Sequence, residues 1–287
     1  MTADSYHLAQ PLQRDTSVIF SSPHSGRAYS AAFMAQTQLD DRSIRSSEDA
    51  FVDLLFDKAP SFGAPLITAQ APRAFIDLNR AAEELDPGVI DGISRSMHNP
   101  RVSSGLGVIP RVVANGRAIY SGKITLPDAE ARINRFWKPY HTALRALIDQ
   151  SHSVFGEAIL IDCHSMPHEA IESHAKPGHP RPEVVLGDRF GAAAGRDVMD
   201  RVEAAFVDAG LRVVRNAPFA GAYITQAYGR PQHGQHVVQV EIDRALYLDE
   251  ALVAPSADFA QFRRVMTRIV AELSKIGRGA DIGLAAE

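Results

Sequence analysis

The 287-residue chain has one cysteine, no large excess of either charge and no long apolar run. A lone Cys163 cannot form an intramolecular disulfide, which is typical of proteins in a reducing compartment. Met1–Gln10 lacks the basic and apolar segments of a secretion signal, and no window reaches the roughly 20 apolar residues of a membrane-spanning helix. The net charge of -4 and the pI of about 6.3 give no general attraction to nucleic acid. We therefore expect a cytoplasmic protein whose partner is a small molecule, with no nucleic-acid or membrane function.

Short apolar strands alternate along the chain with amphipathic helices, which is the pattern of an α/β layer fold. With 45% hydrophobic residues, the chain is long enough to build one large α/β core. We expect a single domain over residues 1–287 with flexible ends at about 1–12 and 278–287, and two smaller domains are the alternative. The predicted strands are Val18–Ser21, Pro65–Ala69, Ala74–Leu78, Val108–Val113, Ile159–Cys163, Val184–Leu186, Arg212–Arg215 and His236–Ile242.

Apolar residues at helical spacing predict several helices between these strands. The predicted helices run from Ser47 or Asp49 to Phe56, from Pro127 through Leu147, from Gly191 to Ala209 and from Ser256 to Ile276. Pro139 is expected to kink or split the second of them. Loops rich in proline, glycine and histidine at Ala175–Pro182 and Tyr228–Gly234 are expected to frame a pocket.

Two of the predicted strands lead directly to a histidine. Val18–Ser21 is followed closely by His24, and Ile159–Cys163 runs into His164. Ligands of open α/β sheets bind in the crevice beyond the carboxyl ends of the strands, so residues distant in sequence can meet there. Imidazoles are common zinc ligands, and a catalytic zinc site keeps one coordination position open for water. We predict that His24 and His164 bind a metal, and a hydrogen-bonded structural histidine is the alternative for each.

A third ligand is expected to be a carboxylate, and Glu48 and Asp49 offer two side by side. In a helix that begins there, Asp49 shares a face with Val52 and Phe56, which favours Asp49 and leaves Glu48 as the second choice. The alternative is that both acids only stabilise a helix N-terminus. Two histidines and a carboxylate fit one divalent metal, above all Zn²⁺, although cobalt, manganese, iron or nickel would also be accepted.

Glu241 lies within the apolar strand His236–Ile242, where a carboxylate is costly unless it is paired, bound to metal or used in chemistry. Strand alternation places it on one face with Gln239 and Asp243. A glutamate beside a metal-bound water can take its proton and return it to a departing amine, which is the acid–base work of amide hydrolysis. We predict Glu241 as the general base, and a salt bridge with Arg244 or another arginine is the alternative.

An amide and a guanidinium follow the predicted strand Ala74–Leu78, namely Asn79 and Arg80. Arg80 can hold a carboxylate through two parallel hydrogen bonds, so we predict that this pair binds the substrate, with a solvated arginine as the alternative. Weaker candidates for the same pocket are Arg111, Tyr223 and Arg244. Cys163 and His164 point to opposite faces of their strand, so we expect a buried structural thiol and no thiol catalysis.

The segments around these residues resemble the N-formylglutamate amidohydrolases. The segments nearest the predicted site are SPHSGR at Ser22–Arg27, SEDAFVD at Ser47–Asp53, DLNR at Asp77–Arg80 and DCHSMP at Asp162–Pro167. Further segments in the family's order are GVIPR at Gly107–Arg111, VLGDR at Val185–Arg189, AGAYIT at Ala220–Thr225 and EIDRALY at Glu241–Tyr247. The resemblance runs from about His24 to Glu250.

The resemblance implies a phosphorylase/hydrolase-like fold, a three-layer α/β sandwich around a mixed, mostly parallel sheet, shared with zinc carboxypeptidases and aspartoacylases. The implied reaction is metal-dependent hydrolysis of N-formyl-L-glutamate to formate and L-glutamate, as the last step of histidine degradation, with a metal-bound water attacking the formyl carbon. The parts of the wider group's site match His24, Asp49 and His164 for the metal, Asn79 and Arg80 for a substrate carboxylate, and Glu241 for the catalytic glutamate.

The chain departs from the wider group at Arg27, because zinc carboxypeptidases and aspartoacylases place the acidic ligand three residues after the first histidine. The carboxylate is therefore assigned to Asp49. Ser30 and Ala222 stand where the family usually has a proline and a second glycine, and Ala222 could alter the acyl pocket. Two other readings stay open: a deacylase of other N-acyl amino acids or a peptidase-like amide hydrolase, and a noncatalytic protein that binds a small molecule. The oligomeric state is left open.

Overall fold

The computed structural model describes residues 5–93, 99–172 and 181–278. Within these ranges the strands are β1 (Tyr6–Ala9), β2 (Val18–Ser22), β3 (Leu66–Ala69), β4 (Ile90–Asp91), β5 (Ile124–Thr125), β6 (Ala158–Met166), β7 (Val184–Gly187), β8 (Val213–Arg215), β9 (Gln235–Asp243), β10 (Leu248–Asp249) and β11 (Ala254–Pro255). The helices are α1 (Ala31–Met34), α2 (Asp41–Ile44), α3 (Val52–Leu55), α4 (Pro100–Ser103), α5 (Leu126–Arg132), α6 (Lys138–Phe155), α7 (His168–Glu172), α8 (Arg196–Val207), α9 (Tyr223–Tyr228) and α10 (Phe259–Ile276). A π-helical segment, Ile133–Trp137, joins α5 to α6. Short 3₁₀ turns occur at Arg45–Ser47, Ala59–Phe62, Ala114–Gly116, Pro231–His233 and Arg244–Leu246.

A mixed, mostly parallel sheet of seven strands, in the order β1-β3-β2-β6-β9-β7-β8, forms the centre of the described structure. Strands β3, β2, β6 and β9 are parallel to one another, and β8 is parallel to β7. Strands β1 and β7 run antiparallel to their neighbours β3 and β9. The register of β6 against β9 places His164 opposite Glu241, and β2 pairs along the other side of β6. The carboxyl ends of these three strands therefore lie side by side.

Side chains of β6 alternate between two buried cores, one on each face of the sheet. Ile159, Ile161 and Cys163 belong to the core that also contains side chains of α3, α8 and α10. Ala158 and Leu160 belong to the core that contains side chains of α5, α6 and α9. Helices thus cover both faces, which gives the expected three-layer α/β sandwich and explains why the central strands are nearly continuous apolar runs.

Most of the predicted strands are present with ends shifted by a few residues, but Ala74–Leu78 is not a strand. The amides of Phe75 and Ile76 both donate to the carbonyl of Pro72 and close a turn. The apolar residues of this segment are buried in the second core and are not paired in a sheet. Its apolar character therefore reflects burial, and the prediction of a strand was wrong.

Val108–Val113 is also irregular, because Pro110 has no amide hydrogen to donate to a neighbouring strand. Conversely, Tyr6–Ala9 lies in the N-terminal segment that we expected to be flexible, yet it pairs with β3. The short helix Tyr223–Tyr228 was not predicted. Residues 279–287 of the expected flexible end and 175–180 of the expected loop lie outside the described residues. In the described ranges, no helix combines the length and apolar character needed to cross a membrane.

Three of the predicted helices begin later than expected, and the one predicted from Pro127 begins at Leu126. Helix α3 starts only at Val52, because Phe51 adopts a left-handed backbone conformation with φ 63°. Asp49 therefore precedes the helix, and the shared-face argument for it does not hold. Helices α8 and α10 likewise start several residues after the predicted positions. Pro139 lies in the first turn of α6, and the π-helical segment before it keeps the helix continuous where we expected a kink or a break.

Candidate active site

Three buried side chains at the carboxyl ends of β2 and β6 converge on one point. His164 Nδ1 lies 2.9 Å from Asp49 Oδ2 and 3.1 Å from His24 Nδ1. His24 Nδ1 lies 3.4 Å from Asp49 Oδ2. The structure thus brings together the three residues that the sequence predicted as metal ligands.

Two neighbouring strands and one turn position these side chains. His24 follows β2 and His164 lies in β6, and the two strands pair in parallel. Asp49 reaches them because its amide donates to the carbonyl of His24 over 3.1 Å, just before the left-handed Phe51. A bulky residue in that conformation costs about 1–2 kcal/mol, so the surrounding packing must stabilise the turn.

The second nitrogen of each histidine ring faces a buried carboxylate. His24 Nε2 lies 2.7 Å from Asp77 Oδ1, and His164 Nε2 lies 3.0 Å from Asp162 Oδ2. Because a carboxylate accepts hydrogen bonds, this arrangement favours the ring proton on Nε2 and leaves both Nδ1 lone pairs facing Asp49 Oδ2. Three electron-pair donors this close repel one another unless a proton or a cation lies between them. The residues therefore fit one divalent metal ion, with carboxylates orienting both histidines.

Burial and charge act in opposite directions on the titration of this cluster. Burial raises the pKa of Asp49 and Asp77, but neighbouring cationic groups outweigh it and hold both pKa values well below the usual range. These groups are the two histidines at Asp49, and His24 with Arg73 and Arg80 at Asp77. Burial lowers the pKa of His164, but the surrounding carboxylates, Asp162 first, raise it well above its usual value. Asp49 is therefore ionised, which is the form that can bind a cation.

Glu241 lies opposite His164 in the neighbouring strand and lines the same cavity. Its Oε1 accepts a hydrogen bond from Gln239 Nε2 over 2.9 Å. Burial raises the pKa of Glu241 to about 7, with the charge of His164 opposing this shift and that of Asp49 adding to it. A carboxyl group with this pKa can both take and return a proton near neutral pH.

A cavity of about 560 Å³ opens over the cluster. Its charged lining consists of Arg73, Arg80, Arg101 and Arg244 with Asp49, Asp77 and Glu241. Met166, Phe219 and Ala222 contribute apolar surface. A cavity with several cationic groups, a few acids at its base and some apolar wall suits a small, negatively charged ligand.

Asn79 and Arg80 both line this cavity, but in different ways. Asn79 Nδ2 lies 3.2 Å from His164 Nε2, and its Oδ1 accepts the amide hydrogen of Ile224 over 2.7 Å. Arg80 is buried, and it donates from Nε to the carbonyl of Leu106 over 2.9 Å and from Nη1 to the carbonyl of Asn79 over 2.8 Å. Its Nη2 has no hydrogen-bond partner among the described residues, so this nitrogen is available to a ligand.

The other predicted residues are engaged elsewhere. Arg244 lines the cavity, but its Nη2 donates to Asp49 Oδ1 over 3.0 Å. Arg111 pairs with Asp86 over 2.9 Å and is not part of the lining among the described residues. Tyr223 also lies outside that lining.

The ring of Tyr223 packs on those of Trp137 and His141, with centroid distances of 5.8 and 5.4 Å. Glu48, the second choice for the carboxylate ligand, is turned away from the cluster. Its carboxylate accepts hydrogen bonds from the Tyr29 hydroxyl over 2.7 Å and from Arg45 Nε over 2.9 Å.

Sequence reasoning missed the residues that support the histidines. Asp77 Oδ2 accepts a hydrogen bond from Arg73 Nε over 3.0 Å while Oδ1 contacts His24, so Arg73 supports the first histidine through one carboxylate. Asp77 and Asp162 each stand in an apolar segment. The argument that selected Glu241, a carboxylate where burial is expected, would have selected both of them. Arg73 gave no comparable signal in the sequence.

Comparison with known proteins shows the family of this chain. The family model for N-formylglutamate amidohydrolase matches residues 16–248, which includes all of the site residues described above. The chain belongs to this family. It is 30% identical over 260 residues to an N-formylglutamate deformylase of Pseudomonas aeruginosa, covering 89% of this chain and 91% of the relative. A Pseudomonas putida N-formylglutamate deformylase is 29% identical over 239 residues, covering 81% and 82%.

A solved structure of another family member has the same fold. The N-formylglutamate amidohydrolase from Ralstonia eutropha JMP134 superimposes with a TM-score of 0.88 at 31% sequence identity, covering 95% of this chain and 98% of that one. Membership of the N-formylglutamate amidohydrolase family places this chain among the hydrolases that act on amide bonds. The predicted family and fold class are thereby confirmed.

Proposed function

We propose that this protein hydrolyses N-formyl-L-glutamate to formate and L-glutamate, using a divalent cation held by His24, Asp49 and His164. The observation that supports this most strongly is the buried cluster of three donor atoms beside Glu241, at the base of a cavity lined by arginines. Two relatives named N-formylglutamate deformylase add the substrate. Such a substrate carries two carboxylates, which agrees with the cationic lining.

Two imidazole nitrogens and a carboxylate oxygen are a donor set typical of zinc, and cobalt, manganese, iron and nickel accept it too. A bound divalent cation supplies Lewis acidity, which lowers the pKa of water and polarises a carbonyl group. Asp77 and Asp162 hold the two histidines in the tautomer that this role requires.

Glu241 supplies the proton transfer in this proposal. As a carboxylate it takes a proton from the attacking water while the water oxygen forms a bond to the formyl carbon. It then gives that proton to the amide nitrogen as the carbon–nitrogen bond breaks, so that formate and the free amine leave. The pKa of about 7 suits both halves of this cycle.

Arginines account for recognition and for charge stabilisation. Arg80 offers its free Nη2 to a substrate carboxylate from a position adjacent to Asn79. Arg73 is oriented by Asp77, and its terminal nitrogens have no hydrogen-bond partner among the described residues. Its positive charge lies near those of Asp49 and Glu241, where it can stabilise the carbonyl oxygen as that atom becomes negative.

The proposed substrate and products suit the last step of histidine degradation, and a single buried cysteine suits the reducing cytoplasm. The pathway is inferred from the family of the chain, and the compartment from the composition of its sequence.

The experiment that tests the function measures formate release from N-formyl-L-glutamate, alongside deacylation of N-acetyl-L-glutamate and N-formyl-L-methionine. Each substrate is assayed with the protein as purified, after chelation and after zinc is restored. We expect formate release from N-formyl-L-glutamate only, lost on chelation and regained with zinc. Turnover of another substrate would favour a different deacylase, and tight glutamate binding without turnover under any divalent metal would favour a binding protein. Full activity and metal content in a folded His164→Ala variant would refute the ligand assignment.

A further inference from the structure

The four arginines that line the cavity differ in the hydrogen bonds and ion pairs that they form with other residues of the protein. Arg244 is engaged, because its Nη2 donates to Asp49 Oδ1 over 3.0 Å and its Nε to Ser165 Oγ over 3.2 Å. Arg73 is held by Asp77 over 3.0 Å, next to the cluster. These two guanidinium groups therefore belong to the reaction centre, and they leave the other two for the rest of the substrate.

Arg80 and Arg101 form no ion pair with an acid in the part of the chain that the structure describes. Arg80 is only 7% exposed and donates two hydrogen bonds to backbone carbonyls, which leaves Nη2 free. Arg101 is exposed, and its side chain makes no hydrogen bond within residues 5–93, 99–172 and 181–278. The cavity therefore has one deep and one outer guanidinium group, and neither is in direct contact with a carboxylate among the described residues.

The backbone fixes these two arginines relative to each other through Leu106. The amide of Leu106 donates to the carbonyl of Arg101 over 2.9 Å, and its carbonyl accepts from Arg80 Nε over 2.9 Å. Asn99 caps α4 by accepting the amide hydrogen of Arg101 over 2.9 Å. Burial lowers the pKa of Arg80, the charge of Asp77 opposes this shift, and the positive charges of Arg73 and Arg101 add to it. Two neighbouring cations of this kind favour a ligand with two negative charges.

We propose that Arg101 determines specificity by binding the side-chain carboxylate of the substrate, while Arg80 binds the carboxylate next to the scissile amide. This inference rests on the proposed hydrolysis of N-formyl-L-glutamate. The α-carboxylate shares a carbon with the amide nitrogen, so it stays close to the cluster, where Arg80 follows Asn79. The side-chain carboxylate lies two methylene groups further out, toward the exposed Arg101.

The test compares N-formyl-L-glutamate with N-formyl-L-glutamine, which has nearly the same shape but no side-chain charge. kcat/KM is measured on both for the wild type, Arg101→Gln and Arg101→Lys. We expect the wild type to prefer the acid and Arg101→Gln to reduce that preference by about tenfold, mainly by slowing hydrolysis of the acid. Arg101→Lys should keep part of the preference, because it retains the charge without the planar fork.

A matched control removes an arginine charge elsewhere. The side chain of Arg196 is 93% exposed and lies outside the cavity lining, so Arg196→Gln should leave the preference unchanged. Equal losses on both substrates, or an unchanged preference, in Arg101→Gln would overturn the assignment. A third substrate, N-formylglutamate with its α-carboxylate converted to an amide, distinguishes the Arg80 site from the Arg101 site. The preference of the enzyme for N-formyl-L-glutamate over this α-amide should depend on Arg80 and not on Arg101. Loss of that discrimination in Arg101→Gln would also contradict the proposal.

Binding of L-glutamate and L-glutamine, measured by calorimetry on the metal-loaded protein, gives a readout that needs no turnover. We expect the wild type to bind glutamate more tightly and Arg101→Gln to narrow the difference by about tenfold. A wild type that hydrolyses no N-formyl-L-glutamate would remove the proposed function, and this binding comparison would still decide the role of Arg101. Equal binding of both amino acids by the wild type would remove that role.

Discussion

The indole Nε1–H of Trp137 donates a hydrogen bond to the backbone carbonyl of Arg80 over 2.8 Å. Four residues further along the same helix, His141 Nε2 contacts the carbonyl of Leu78 over 2.9 Å. Burial lowers the pKa of His141 to about 4, so its ring is neutral at physiological pH and Nε2 carries the proton for this bond. The helix thus holds the carbonyls on both sides of Asn79. These two side chains help to fix the geometry of this irregular segment next to the cluster.

Trp137→Phe should therefore weaken substrate binding more than it slows the chemical step. The change keeps an aromatic ring but leaves the Arg80 carbonyl without its donor, so we expect KM for N-formyl-L-glutamate to rise about three- to tenfold with kcat within about twofold. Steady-state kinetics measure both constants. Phe136→Leu is the control, because Phe136 packs on Phe75 with ring centroids 5.5 Å apart and lies outside the lining of the site cavity. An unchanged KM in Trp137→Phe would show that the indole only stabilises the fold.

The neighbouring acids Glu48 and Asp49 offer a matched test of metal binding. Asp49→Asn keeps the shape of the side chain but removes the charge that faces His24 and His164. We expect the purified variant to hold less than about a tenth of the wild-type metal, by elemental mass spectrometry. Glu48→Gln should retain the metal, because that carboxylate is bonded to Tyr29 and Arg45. Loss of metal in the Glu48 variant alone would reverse the assignment.

Glu241→Gln should abolish most of the activity without removing the metal. An amide cannot take a proton from water, so we expect kcat to fall by about 10²- to 10⁴-fold. The wild-type kcat/KM should fall as the pH drops below about 7, because Glu241 becomes protonated there. A bound cation lowers the pKa of Glu241 and would move this acidic limb of the pH profile to lower pH. Rate measurements between pH 5 and pH 8 show the limb, and a residual rate of Glu241→Gln with the same limb would exclude Glu241 as its origin.

Cys163 should be dispensable for the reaction although it precedes His164. Its side chain belongs to the first hydrophobic core, on the face of β6 opposite the cluster, and burial raises the pKa of the thiol well above its usual value. We expect Cys163→Ala to keep kcat within about twofold and to lose about 1 kcal/mol of unfolding free energy. Iodoacetamide should not inactivate the folded wild type. An inactive Cys163→Ala that still binds metal would reopen thiol catalysis.

Part of this site could be predicted because burial leaves a local signal. A strand covered by helices on both faces is an apolar run, so the runs before His24 and His164 identified themselves as central strands. Glu241 was noticeable for the same reason, as a carboxylate in an apolar strand, near the carboxyl end of β9. These inferences needed only the order of residue types over a few positions.

Other expectations failed because one local pattern fits two structures. The short apolar run Ala74–Leu78 is equally compatible with a strand and with a turn buried under a helix. Asp49 was favoured over Glu48 on a helix that begins only at Val52. Its actual position depends on a hydrogen bond to the His24 carbonyl, 25 residues away along the chain.

The sequence by itself determined which chemical groups stand at the ends of which buried strands, because each strand carries that information locally. Only the tertiary structure decided the partners: Arg244 meets Asp49 across 195 positions, and Asp77 and Asp162 each take one histidine. Such meetings are set by strand order and register, and the spacing of residues along the chain does not encode either of them.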